Sequence, residues 1–146
     1  MKIVKTRKVK TPERTGKNAG IDFFVPSDCR PMVLIPGTRV NIPSGIHVKM
    51  PDGYCLIAFN KSGVASKYGL QIGACVVDEN YTGEIHLSLV NNTSQNIVIN
   101  PDQKIIQFLV LKPNYVDIEV FEKLNDIYKK SDYLERGSKG FGSTGE

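Results

Sequence analysis

The chain has 146 residues, of which 40% are hydrophobic and 23% charged, and a formal net charge of +4. This length can bury a core without disulfide or metal staples, and the composition excludes a disordered chain, whose mark is low hydrophobicity with high net charge. No apolar stretch approaches the roughly 18 residues of a membrane span, and no signal-peptide core follows the basic start, so a folded protein of the cytoplasm, a host's cytoplasm if the source is viral, is the expectation.

The first residues, Lys2, Lys5, Arg7, Lys8 and Lys10, are interleaved with Ile3, Val4 and Val9. A basic run can meet nucleic acid, but this alternation favours an exposed edge strand whose lysines discourage pairing with another sheet. No direct nucleic-acid partner and no membrane partner are expected. Asn18-Ala19-Gly20-Ile21-Asp22 follows, where Asp22 alone reads as a turn acid. Met32 to Ile35 stops at Pro36-Gly37, and Val40 to Ile42 stops at Pro43-Ser44-Gly45. Ile46 to Met50 alternates with period two, and Pro51-Asp52-Gly53 turns the chain into the apolar run Tyr54 to Phe59, which predicts a hairpin.

Ser62 to Tyr68 is too short for a stable free helix, but Ser62 can cap one turn packed on the sheets. Asp78 and Glu79, taken alone, are turn residues of a hairpin joining Val77 to Ile85. Glu84 to Leu89 places Ile85, Leu87 and Leu89 on one face, the core side of a strand. Gln107 within Lys104 to Gln107 reads, alone, as an edge residue, and Asn125 to Leu134 is a second short helix candidate. The last stretch, Arg136 to Gly145, is too rich in glycine and short polar side chains to form a core, which predicts a mobile arm. The expected division is a β domain over 1–135 and an arm over 136–146.

Short strands punctuated by turn chemistry predict an all-β sandwich or barrel. Cys29, Cys55 and Cys75 are odd in number and lack a CxxC pair, so they read as reduced structural cysteines. His47 and His86 stand alone, at no metal-ligand spacing, and read as ordinary strand residues.

Five segments place polar or flexible residues at the ends of apolar runs: Asn18 to Asp22, Asn60 to Ala65, Gly73 to Gly83, Lys104 to Gln107, and the terminal arm. In this order they resemble the five motifs of the trimeric dUTPase (deoxyuridine 5'-triphosphate nucleotidohydrolase) family, from about Asn18 to Gly145. The most specific parts are VVDENYTGEI (Val76 to Ile85) and RGSKGFGSTG (Arg136 to Gly145).

The resemblance implies a distorted jelly-roll, β-clip fold with a flexible glycine-rich C-terminal arm, and a homotrimer with shared active sites. It implies hydrolysis of dUTP to dUMP and pyrophosphate by in-line water attack at the α-phosphate, which limits uracil in DNA and supplies dUMP for dTMP synthesis. Residue by residue, Asp78 is the expected catalytic base, and Asp22 the outer-sphere partner, through water, of a magnesium ion (Mg2+) held mainly by the triphosphate. A hairpin over Gly73 to Tyr81 would read uracil through the backbone of Gly73, Ala74, Cys75 and Val77, with Tyr81 beneath the deoxyribose. Lys61, Ser62, Gly63 and Gln107 would take phosphate oxygens. Arg136 would contact the terminal phosphates, Phe141 would stack on the base, and Gly142, Ser143 and Thr144 would close around the triphosphate.

Three positions depart from the family pattern. Lys61 stands where arginine is usual and loses the bidentate fork. Cys75 and Lys139 replace glycines. The stretch from Asn114 to Glu135 is longer than usual, either extending the arm's reach or forming a small surface helix. Two rival readings stand beside it: a distant one, a dCTP deaminase-related enzyme, and a nucleotide-responsive regulatory binding protein on the same fold, to which the departures at Lys61, Cys75 and Lys139 give some weight.

Overall fold

Apolar runs cut short by Pro, Gly and Asp leave little room for helices, and the described residues form ten strands and two short helices. The computed structural model describes residues 1–129 and 131. Its chain divides into two units, Met1–Pro113 and Asn114–Glu146. In the first unit, β1 (Lys2–Lys5), β4 (Arg39–Lys49), β8 (Glu84–Asn91) and β6 (Leu70–Ile72) make one sheet in that order. A second sheet runs β2 (Ile21–Phe24), β10 (Lys104–Leu111), β5 (Cys55–Asn60), β7 (Val76–Val77), and β3 (Met32–Leu34) pairs with β9 (Ile97–Ile99). Every pairing is antiparallel. From β4 to β8 the chain changes sheet at each step, the winding of a jelly-roll-like all-β fold.

The core lies between the inner faces. Phe23 and Phe108 meet with ring centroids 4.6 Å apart, surrounded by Leu56, Ile85, Leu87, Leu89, Ile105 and Ile106, all almost fully buried. Each such side chain contributes about 1.5–3 kcal/mol by leaving water. As expected, β1 lies at a sheet edge, and Ile85, Leu87 and Leu89 point into the core. His47 and His86 are strand residues of β4 and β8.

Four local expectations are corrected. Pro43-Ser44-Gly45 does not end a strand: β4 runs through it, with a register shift between Pro43 and His47 where the missing proline N–H does no harm. Gly45 adopts φ +72°, and a Cβ there would lie 2.2 Å from the Arg7 stem, so only glycine serves. Second, β4 and β5 do not form a hairpin, because the turn at Pro51 to Gly53 carries the chain from one sheet to the other. Third, the first helix, α1 (Ser62–Tyr68), is capped by Lys61 in extended conformation without a side-chain cap bond, and Ser62 is its first turn instead. Its hold on the fold is the buried Val64. Fourth, α2 is one turn, Leu124–Ile127, starting a residue before the expected segment, and Tyr128 is already extended. The arm over 136–146 lies outside the described residues.

Candidate functional site

Strand register builds the first part of the site. Gln107 stands opposite Asp22 on β2 and opposite Phe59 on β5. Cross-strand partners share a face, so these three side chains form one row across the second sheet. Their strand neighbours Phe23, Phe108 and Ala58 point inward and are buried, which turns the row outward. Gln107 donates from Nε2 to the Asn60 carbonyl at 2.8 Å. A Cβ on Gly20 would come within 2.3 Å of Gln107 Oε1, so the glycine of the first motif leaves space for the glutamine of the fourth.

Lys61 follows the last residue of β5, and its ammonium forms an ion pair with Asp22 Oδ1. The second oxygen, Oδ2, lies 3.6 Å from the ammonium of Lys104, which also pairs with Glu13. Reciprocal backbone bonds between Glu13 and Asp22, at 3.1 and 2.8 Å, fix the aspartate's position. The hydrogen bond that Lys104 donates to Glu13 is the largest influence raising the Lys104 pKa, with Asp22 adding to it, so this ammonium stays charged well above neutral pH. The Asp22 side chain is 18% exposed and that of Lys61 24%, so the pair is partly withdrawn from water.

Asp22, Lys61, Gln107 and Phe59 line a cleft of about 470 Å³ together with Asn18, Gly20 and Asn60. An ammonium, amide donors and one carboxylate suit an anion accompanied by a hard cation. Among the described residues, no group of three or more His, Cys, Asp or Glu could hold a metal. The one carboxylate among the lining residues suits an ion that keeps its waters rather than a metal held by these side chains alone.

The second part is the stretch Gly73 to Gly83. It does not close on itself as the expected hairpin, because β6 belongs to the first sheet and β7 to the second, with Gly73-Ala74-Cys75 crossing between them. For the same reason β7 and β8 form no hairpin around Asp78 and Glu79: their partners are β5 on one side, β4 and β6 on the other. Gly73 donates its N–H to Ser88 O at 3.0 Å, and a Cβ there would lie 2.5 Å from Ser88 Oγ. The Cys75 carbonyl accepts from Ala58 N at 2.7 Å while its thiol is exposed, and Val77 is buried beside Leu56.

Asp78 is exposed, and its carbonyl accepts from Tyr81 N at 3.2 Å, closing a turn. The Tyr81 hydroxyl donates to Glu84 O at 2.9 Å, and Gly83 makes room for the ring, since a Cβ there would meet ring atoms at 2.3 to 2.9 Å. His47 Nδ1 donates to Thr82 O at 3.1 Å, so the loop is fastened to β4.

The structure thus gathers Asp22, Lys61 and Gln107 in one cleft, with Ser62 and Gly63 beside them as the exposed start of α1. Gly73, Ala74, Cys75, Val77, Asp78 and Tyr81 are not among the residues lining it. Arg136, Lys139, Phe141, Gly142, Ser143 and Thr144 lie outside the described residues. Sequence reasoning assigned nothing to Glu13, Asn60 and Lys104. Lys104 carried a signal, three positions before Gln107 at the start of the strand, whereas Glu13 reaches the site through its backbone pairing with Asp22 and its ion pair with Lys104.

A family model described as dUTPase matches residues 7–145. A deoxyuridine 5'-triphosphate nucleotidohydrolase of Chlamydia trachomatis serovar L2 is 37% identical over 119 residues, 80% of this chain and 77% of the relative. That of Desulfitobacterium hafniense is 34% identical over 152 residues, covering 99% and 95%. Among solved structures, the dUTPase of Staphylococcus bacteriophage 80alpha with dUPNHPP superposes with a TM-score of 0.80 at 24% identity, covering 99% of this chain and 98% of that one. A mutant dUTPase from phage phi11 of S. aureus, in which the coordination of a structural Mg(II) ion is described, gives 0.72 at 22% identity, covering 85% and 97%.

Proposed function

The chain belongs to the dUTPase family, and on that premise we propose how its own residues divide the work of the reaction. It hydrolyses dUTP to dUMP and pyrophosphate, and its chemistry takes a divalent metal. The reading of the site rests on one observation: Asp22, Lys61 and Gln107, from three distant stretches, face one cleft.

In this reading the cleft takes the triphosphate. Lys61 supplies positive charge, Gln107 an amide donor, and Ser62 and Gly63 a hydroxyl and an N–H at the start of α1. Asp22 would hold the Mg2+ ion through a water, and the ion, when bound, would neutralise the phosphate oxygens and favour departure of pyrophosphate. The backbone of Gly73, Ala74, Cys75 and Val77 reads the uracil edge, and the face of Tyr81 lies against the deoxyribose, where a 2′-hydroxyl finds no room. Asp78 orients a water and takes its proton as the water oxygen bonds to the α-phosphorus and the bond to the bridging oxygen breaks in line. Arg136, Phe141, Gly142, Ser143 and Thr144 complete the site.

Because the base-reading segment does not line the triphosphate cleft of its own chain, the reading requires copies to pool their parts, as a homotrimer with shared active sites does. The function in the cell is to keep uracil out of DNA and to feed dTMP synthesis. The test is pyrophosphate release from dUTP, UTP, dCTP and dTTP with and without Mg2+. Release from dUTP alone, dependent on the metal, is expected. Ammonia from dCTP without pyrophosphate from dUTP overturns the reading.

A further inference from the structure

Asp22 is held on both oxygens by positive charge: Oδ1 by the ammonium of Lys61, Oδ2 by that of Lys104 at 3.6 Å. The two lysines are not equivalent. Lys104 is tethered, since its ammonium also pairs with Glu13, whose backbone is bonded to that of Asp22 in both directions. Its ammonium additionally lies 5.4 Å from the centre of the Phe24 ring. Lys61 has Asp22 as its ion-pair partner, lines the cleft itself, and carries its charge on a flexible four-carbon stem.

We propose that Lys61 and Lys104 form an electrostatic latch on Asp22, which admits the divalent ion only in company with the triphosphate. This rests on the reading that the cleft holds the triphosphate. In the ligand-free protein, a divalent cation approaching Asp22 meets two positive charges, and the Oδ1 oxygen that would accept from its waters is already engaged by the Lys61 ammonium. A triphosphate carries more negative charge than one carboxylate and draws the Lys61 ammonium toward itself. The Oδ1 oxygen is then released to a metal-bound water, while Lys104, fixed by Glu13, keeps the carboxylate oriented. Lys104 is thus a positioning residue: it touches neither nucleotide nor metal, and acts through Asp22. Metal and nucleotide binding are coupled, and by linkage the coupling is reciprocal.

Mn2+ serves as the probe, its free concentration read by electron paramagnetic resonance during titration of the full chain, without nucleotide and with α,β-imido-dUTP. The ligand-free wild type is expected to bind Mn2+ weakly. Lys61→Met and Lys104→Met should each tighten nucleotide-free binding about tenfold, in the usual range of coupling between sites. That gain should vanish when Asp22→Asn is added to either. Lys104→Arg, which keeps the charge and the Glu13 pair, should retain the wild-type value, separating lost charge from a disturbed fold. Unchanged nucleotide-free Mn2+ affinity in both methionine variants, or a gain that survives Asp22→Asn, overturns the latch. These titrations without nucleotide do not depend on turnover, so a protein that fails to hydrolyse dUTP counts against the function and leaves the latch to be judged by its own measurement.

Discussion

The cleft and the loop that carries Asp78 are positioned by different means. Asp22, Gln107 and Phe59 are aligned by the register of three strands, and a side chain there moves only if pairing across the sheet slips. The Asp78 loop owes its place to short-range contacts: Tyr81 N to Asp78 O, Tyr81 Oη to Glu84 O, and His47 to Thr82. Phosphate binding needs charges held at fixed separations, which distant strands supply. The base and shared site proposed for Asp78 suit an exposed segment with its ends secured.

The comparison can be broken first at Asp78. Asp78→Asn removes the carboxylate and leaves the backbone bonds that shape the turn, so pyrophosphate release should fall about 10²- to 10⁴-fold while affinity for the imido analogue is kept. Undiminished turnover takes Asp78 out of the chemistry. Gly73→Ala strikes the crossing between the two parts. Its new Cβ would lie 2.5 Å from the buried Ser88 Oγ, and overpacking of this kind costs about 1–3 kcal/mol, read as a lower midpoint in urea unfolding. Gly20→Ala is the matching change in the cleft. The Cβ displaces Gln107 from Asn60 O, so KM for dUTP should rise about tenfold with thermal stability little altered.

The smallest effect is expected at an ion pair that belongs to neither. Asp28 accepts from the Arg7 guanidinium at 3.0 and 3.2 Å, and this bond is the main cause holding its pKa below the usual carboxylate value. A depressed folded pKa gives stability that is present above the unfolded value, near 3.9, and lost as pH falls through the folded one. Asp28→Asn should therefore be slightly less stable than wild type at neutral pH, with the two melting curves converging in strong acid.

Much of this was legible in the sequence, for identifiable reasons. Alternation marked β8 and its core face, and the order of motifs identified the family and the cleft residues Asp22, Lys61 and Gln107. The partner of each strand was not legible. Ile46 to Met50 and Tyr54 to Phe59 look like a hairpin because turn chemistry is local, yet which sheet receives the second strand is decided by packing over the whole chain. Pro43-Ser44-Gly45 reads as a stop for the same reason: sequence shows the break in pattern, and only the partner strand β8 shows that it is absorbed as a bulge. Glu13 and Lys104 were invisible as a pair because 91 positions separate them.

The exposed thiol of Cys75 makes this protein its own reporter. Cys55 is buried and Cys29 half-buried, so a mild maleimide labels one position, in the segment assigned to the nucleobase. Because the Cys75 backbone is bonded to β5, a dye attached there would sense what arrives at the pocket rather than the wandering of a loose chain. Nucleotide arrival can then be followed as a change in emission, without radioactive substrate or any engineered residue.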